Sequence, residues 1–155
     1  KTGALLIIER ETSLTDILES GTEIDAVITE SLLEAVFYPG APLHDGACII
    51  RGERMIAAGC VLPLTQNRTL SKDLGTRHRA GLGITEHSDA IALIVSEETG
   101  IISIAIDGRL SRFLDIKTVE KTLLNLYLSQ LDGENEKNII AKLFKKRGRS
   151  GDAGQ

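Results

Sequence analysis

Aromatic residues are scarce. Three Phe, two Tyr and no Trp make up 3% of the 155 residues, too few to build a stacking platform for unpaired bases. The core therefore falls to Ile, Leu, Val and Ala. Cysteine is almost absent. Cys48 and Cys60 alone supply neither a disulfide framework nor a four-ligand zinc site, and they read as buried thiols of a reducing compartment. Long apolar runs are missing as well: the longest, over 56–62, falls far short of the roughly 18 residues that span a bilayer. No signal-peptide pattern is present. There is no basic excess either. The 18 Lys and Arg stand against 22 Asp and Glu, a net charge of −4, which argues against a whole-surface nucleic-acid binder.

What is present is a foldable chain. Hydrophobic residues at 42% and charged residues at 26% exclude global disorder and support one domain, with a tail. The first residue is Lys1, not Met, which suggests a piece cut from a longer protein. Apolar alternation predicts strands over 3–9, 23–28, 46–51, 54–62, 90–95 and 101–106. Helices are expected over 12–20, from Thr29 or Ser31 to Phe37, over 76–86 and over 115–131. Ser31 with Glu34 fits a capping box. Gly81 and Gly83 weaken the third helix. The fourth carries an apolar stripe of Ile116, Val119, Leu123, Leu126 and Tyr127.

Gly52-Glu53 fits a tight hairpin turn, and the register it implies sets Ile50 opposite Met55, Cys48 opposite Ala57 and Cys60 opposite Asp45. A second hairpin turns at 96–100. Residues 133–155 form a tail, with a short amphipathic helix carrying Ile139, Ile140, Leu143 and Phe144 and a disordered end from Gly148. Two hairpins exclude a purely parallel sheet. The expected class is α/β: a mixed central β-sheet with hairpins, flanked by helices on both faces.

Four segments carry chemistry. Pro42-Leu43-His44-Asp45-Gly46-Ala47 brings a candidate metal-ligating imidazole and a carboxylate to a loop end, beside small residues that let a ligand approach the backbone. Asp-Gly is equally an ordinary turn pair. Gly75-Thr76-Arg77-His78-Arg79 opens a helix. Thr76 can cap it, free amides suit an anion, and two guanidinium groups there oppose the helix dipole unless an anion joins them. A solvated basic turn is the competing account. Ser96-Glu97-Glu98 can bind a sugar, base or metal through Ser96 or Glu98, or stand as exposed acids in a turn. The basic residues Lys142, Lys145, Lys146, Arg147 and Arg149 read as a solvated tail rather than a lipid or nucleic-acid site.

Taken in order, Leu43-His44-Asp45-Gly46-Ala47, then Leu74-Gly75-Thr76-Arg77-His78-Arg79-Ala80, then Ile94-Val95-Ser96-Glu97-Glu98-Thr99-Gly100 resemble the diadenylate cyclase (DAC, or DisA-N) family. Three matching segments in sequence are far more specific than any one of them. The resemblance runs from about residue 3 to 131 and is strongest to the membrane-anchored CdaA type, whose cyclase domain follows three transmembrane helices. It implies a catalytic domain over 1–131 and a tail over 132–155, and condensation of two ATP into cyclic di-AMP with release of two pyrophosphates. It implies a divalent metal (Mn²⁺, Mg²⁺ or Co²⁺). Asp45 would position or deprotonate the ribose 3′-hydroxyl, and His44, Asp45 and Glu98 would lie on the metal. Gly46, Ala47 and Leu62 would border the nucleotide. Gly75, Thr76, Arg77, His78 and Arg79 would hold the triphosphate, and Ser96 and Glu98 would complete the phosphate side.

The product has two equivalent links, so a chain with one ATP site needs a second copy face to face, a homodimer. The parent would sit at the cytoplasmic face of the cell membrane, this fragment would be soluble, and no nucleic acid is expected. Two other classes remain open at this point: a metal-dependent phosphohydrolase using His44, Asp45 and Glu98, and a nucleotide-sensing module without turnover.

Overall fold

The computed structural model describes the backbone of residues 1–129 and 133–148, and the side chains up to 129 and over 137–144. The strands are β1 (Ala4–Ile8), β2 (Thr22–Val27), β3 (Ala47–Arg51), β4 (Arg54–Cys60), β5 (Ile91–Val95), β6 (Ile102–Ile106) and β7 (Arg109–Leu114). The helices are α1 (Thr15–Glu19), α2 (Glu30–Phe37), α3 (Thr76–His87), α4 (Ile116–Ser129) and α5 (Gly133–Gly148). These seven strands join one sheet in the order β2-β4-β3-β1-β5-β6-β7. Among the described residues only β1 with β3 is a parallel pair; β1 runs antiparallel to β5.

β1 is a continuous apolar run because both its faces are covered, as expected of a central strand. Leu5 and Ile7 enter one core with Leu82 and Ile84 of α3, and with Ile17 and Leu18 of α1. Ala4 and Leu6 face Val36 and Phe37 of α2, while Ile8 meets Val119 and Leu126 of α4 and Leu143 and Phe144 of α5. Helices thus cover both faces, as expected. α5 packs on the body, and Arg109 lies 4.1 Å from the Phe144 ring centre. Of the disorder expected from Gly148, Gly148 itself is corrected, since it ends α5; residues 149–155, and the side chains of Lys145, Lys146, Arg147 and Arg149, lie outside the described residues.

Several local expectations are corrected. Strand β7 was not foreseen. Its sequence, Arg-Leu-Ser-Arg-Phe-Leu, does not alternate cleanly, and Phe113 bends it at φ 58°. Of the two caps offered for α2, Thr29 is the one used, accepting from Leu32 N at 3.1 Å, and the Ser31–Glu34 capping box is not formed. In the β3–β4 hairpin Ile50 does face Met55, but two register shifts set Ile49 opposite Ala57 and Cys60 opposite Ala47. One extra residue of β4 is absorbed near Gly59, whose φ of 66° suits glycine, and the other at Ile56. Both cysteines are free and buried, and burial, with Cys60 adding to it, pushes the Cys48 thiol up to about 12. Ile116 is 73% exposed and stands outside the buried stripe of α4.

The glycines of α3 have a structural role. A Cβ on Gly81 would come 2.8 Å from Ile94 Cδ1, and one on Gly83 would overlap the Pro63 carbonyl oxygen. These positions let α3 press onto β5 and onto the chain leaving β4. They cost helix propensity and gain close packing.

Candidate active site

The topology gathers the three motifs at one edge of the sheet. β1 and β3 are parallel, so Gly3 and the His44-Asp45-Gly46 turn precede neighbouring strand starts. β5 is antiparallel to β1, so its last residue delivers Ser96-Glu97-Glu98 to the same edge. The N-terminus of α3 closes the third side.

Gly46 takes φ 99°, and a Cβ there would come 2.7 Å from the Cys60 carbonyl oxygen. The motif glycine is therefore required by β4, and the turn it makes throws Asp45 outward. The Asp45 side chain is 86% exposed, with Oδ1 3.4 Å from His44 Nε2 and 4.0 Å from Arg77 Nη2. His44 Nδ1 lies 2.7 Å from the Ala41 carbonyl oxygen. A carbonyl only accepts, so Nδ1 carries the proton, and in the neutral ring Nε2 keeps its lone pair for a ligand.

Gly75, not Thr76, is the N-cap of α3, with no side-chain cap. The expected Thr76 cap is thus corrected: Thr76 is the first helical residue, and the opening amides face the cleft without a capping oxygen, a favourable place for an anion. Arg77 reaches to the opposite wall. Its Nη1 donates to Glu97 Oε2 at 3.1 Å, and a Cβ on Gly3 would stand 2.6 Å from that Nη1. Gly3 is thus the seat of the Arg77 guanidinium. His78 is 4% exposed and neither ring nitrogen has a hydrogen-bond partner. Burial first, then the charge of Arg112, hold its pKa below the ordinary imidazole value, against an opposing pull from Asp73 that outweighs the further lowering by Arg77. Ser96 Oγ accepts from Thr99 N at 3.3 Å and so braces its own turn.

These groups bound a cleft of about 580 Å³ walled by Asp45, Gly46, the 72–78 segment and Ser96, Glu97 and Glu98. That volume is within the usual range for a small-molecule site. A second cleft of about 370 Å³ lies against the same Arg77, Glu97 and Glu98, with His44, Phe37 and Gly3 on its wall. Ala47 and Leu62 are buried in the core, and neither they nor Arg79 line these two clefts. Sequence reasoning missed Glu97 as the partner of Arg77, and Lys72 and Asp73 as cleft walls. The only signal for them was adjacency to the motifs.

Among the described residues no three His, Cys, Asp or Glu side chains group closely enough to hold a metal ion. His44 Nε2, Asp45 and Glu98 nevertheless border the two clefts. That donor set fits a hard divalent ion arriving with phosphate oxygens, which needs only one or two protein ligands.

Comparison with known proteins agrees with this layout. Residues 1–110 match the family model described as DAC, DisA bacterial checkpoint controller nucleotide-binding. The chain is 47% identical to diadenylate cyclase CdaS of Bacillus thuringiensis over 70% of its length and 54% of the relative's. It is 46% identical to cyclic di-AMP synthase CdaA of Bacillus subtilis over 78% and 44%. The chain thus spans about half the length of the curated relatives it matches. A crystal structure of a DacA double mutant from Staphylococcus aureus superposes with a TM-score of 0.77 at 50% identity, covering 79% of this chain and 81% of that one. A hypothetical membrane spanning protein from Bacillus cereus gives 0.70 at 45% identity, covering 73% and 55%. Sheet order, motif placement and these likenesses converge: the chain belongs to the DAC family.

Proposed function

We propose that this chain is the catalytic domain of a diadenylate cyclase, converting two ATP into cyclic di-AMP and two pyrophosphates. The observation that carries the reading is the outward-facing Asp45 carboxylate at the mouth of a cleft whose other walls are an uncapped helix N-terminus and Arg77. The family membership and the relatives' names support it.

In this reading the triphosphate lies on the opening amides of α3, with Thr76 and His78 beside it. Arg77 turns from Glu97 toward the phosphates as they arrive. The ribose 3′-oxygen of one ATP attacks the α-phosphorus of the other. The bond to pyrophosphate breaks, and Asp45 orients the hydroxyl and accepts its proton. His44 Nε2, Asp45 and Glu98 would hold a divalent metal, which supplies charge neutralisation on the phosphates when bound. Most of the rate comes from alignment and electrostatics rather than a covalent nucleophile.

One ATP site per chain requires two copies, each presenting an ATP. The exposure of Asp45 suits that arrangement, since its carboxylate is open to a neighbour. Among the described residues no helix is long and apolar enough to cross a membrane. A membrane anchor would belong to the parent protein, and the likeness to the membrane spanning protein from Bacillus cereus supports one.

The test is incubation with ATP and Mn²⁺, Mg²⁺ or Co²⁺, read by anion-exchange chromatography across a range of protein concentrations. A cyclic dinucleotide should form, with specific activity rising as the chain is concentrated. Orthophosphate without dinucleotide, or binding without turnover, would replace this reading by a hydrolase or a sensor. Activity from monomers held apart would remove the dimer. Arg77→Ala should weaken ATP binding by about tenfold, the scale of a hydrogen bond to a charged group, while adenosine binding stays unchanged; calorimetry with both ligands decides it.

A further inference from the structure

A buried arginine lies behind the cleft, on the strand that the sequence did not announce. Arg112 of β7 is 6% exposed. Its Nη2 stands 3.0 Å from Asp73 Oδ2, its one ion-pair partner among the described residues. Asp73 itself is 59% exposed and lines the cleft. The other Asp73 oxygen accepts from Ser71 Oγ, and Leu74 N donates to the Ser71 carbonyl at 3.2 Å. The segment that delivers Gly75 and the α3 amides is therefore a compact turn, anchored in the core by buried Leu70 and Leu74, whose polar side is tied to β7 by the Arg112 guanidinium.

The surroundings are unusually polar for an interior. Arg112 Nε, both nitrogens of His78 and Ser103 Oγ are all buried without hydrogen-bond partners. Burying a guanidinium is costly unless an anion and hydrogen bonds offset it. The Arg112 guanidinium carbon also lies 4.8 Å from the Phe113 ring centre, but of these two contacts Asp73 is the one on the cleft wall.

We propose that Arg112 is a positioning residue for nucleotide binding: through Asp73 it fixes the loop ahead of α3, and with it the phosphate-facing wall of the cleft. The proposal rests on the nucleotide reading above. It goes beyond that reading by assigning a role to a residue that touches neither cleft.

The test uses the whole chain and four variants: Arg112→Gln, Arg112→Lys, Asp73→Asn, and Arg112→Gln with Asp73→Asn. A non-hydrolysable ATP analogue is titrated by calorimetry, KM and kcat are measured, and amide hydrogen exchange is followed over 65–76. Arg112→Gln and Asp73→Asn should each weaken analogue binding by about tenfold, the scale of one hydrogen bond to a charged group. KM should rise with kcat nearly kept, and exchange should rise in that loop ahead of the rest of the chain. The double variant should be no worse than the poorer single one, as expected for two groups in one contact. Arg112→Lys should recover part of the affinity.

Folded variants that bind the analogue as the unmodified chain does, or losses that simply add, would overturn the proposal. If Arg112→Gln fails to fold, Asp73→Asn decides the question from the exposed side of the pair. An unmodified chain that binds no nucleotide would defeat the functional reading alone. In that case the exchange arm still judges the tie: unchanged loop exchange in Asp73→Asn overturns it.

Discussion

Asp45→Asn is expected to leave ATP affinity within about fivefold and to lower dinucleotide formation by about 10²–10⁴-fold, the usual contribution of a positioned acid–base group. Affinity should survive because the carboxylate is 86% exposed and stands 4.0 Å from Arg77. An ion pair that open is worth about 0–1 kcal/mol. Turnover should not survive, because asparagine matches the shape but cannot accept the 3′-hydroxyl proton. The turn itself should be undisturbed, since Gly46 and β4 set it. Separate measurement of analogue binding and of product by chromatography gives the contrast. A variant that turns over normally would take Asp45 out of the chemistry, and one that loses binding as well would make it a ligand-holding residue instead.

Gly83→Ala should be the most destabilising single methyl in α3. Intrinsic propensity alone favours alanine in a helix interior by about 1 kcal/mol. Against that, the new Cβ would overlap the Pro63 carbonyl oxygen and crowd its carbon, at 2.7 Å. These are backbone atoms, so relief requires α3 to lift from the chain leaving β4. Overpacking of this kind costs about 1–3 kcal/mol or more, so the net loss should lower the thermal midpoint by several degrees, at about 2–4 °C per kcal/mol for a domain of this size. Gly81→Ala should be milder, because its nearest neighbour is the end of the Ile94 side chain, which can rotate. A midpoint for Gly83→Ala at or above the parent's would show that α3 is not pinned there.

The order of legibility along the chain follows the physics. Asp45, Arg77 and Glu98 stood out because their chemistry sits in short contiguous motifs. The mixed sheet followed from two hairpin signals, and the strands with clean apolar runs were found nearly to the residue. What escaped depends on tertiary context. β7 has arginines within its run and a positive-φ Phe113, so its membership depends on pairing with β6 and on cover from α5. The Arg77–Glu97 pair joins two elements twenty residues apart in sequence. The slip that moved Cys60 opposite Ala47 is a bulge, invisible to a rule that counts from the turn. Gly81 and Gly83 read as weaknesses when judged by propensity alone, and only the neighbouring atoms reveal close approach.

The adjacency of β1 to β5 at the centre of the sheet bears on how the cleft comes into being. Ile8 pairs with Ile91, and Ala4 with Val95, across most of the intervening chain. Closing so long a loop is entropically demanding, and this pairing should form more slowly than the local hairpins. Gly3 and Ser96 reach the same edge only once that pairing is made, whereas the β3–β4 and β5–β6 hairpins can form early and locally. The cleft-bearing edge is therefore a late product of folding. Its integrity should track global unfolding rather than fray on its own. Amides at the β1–β5 seam should be the last to exchange with deuterium, and bound nucleotide should slow the opening of the whole molecule.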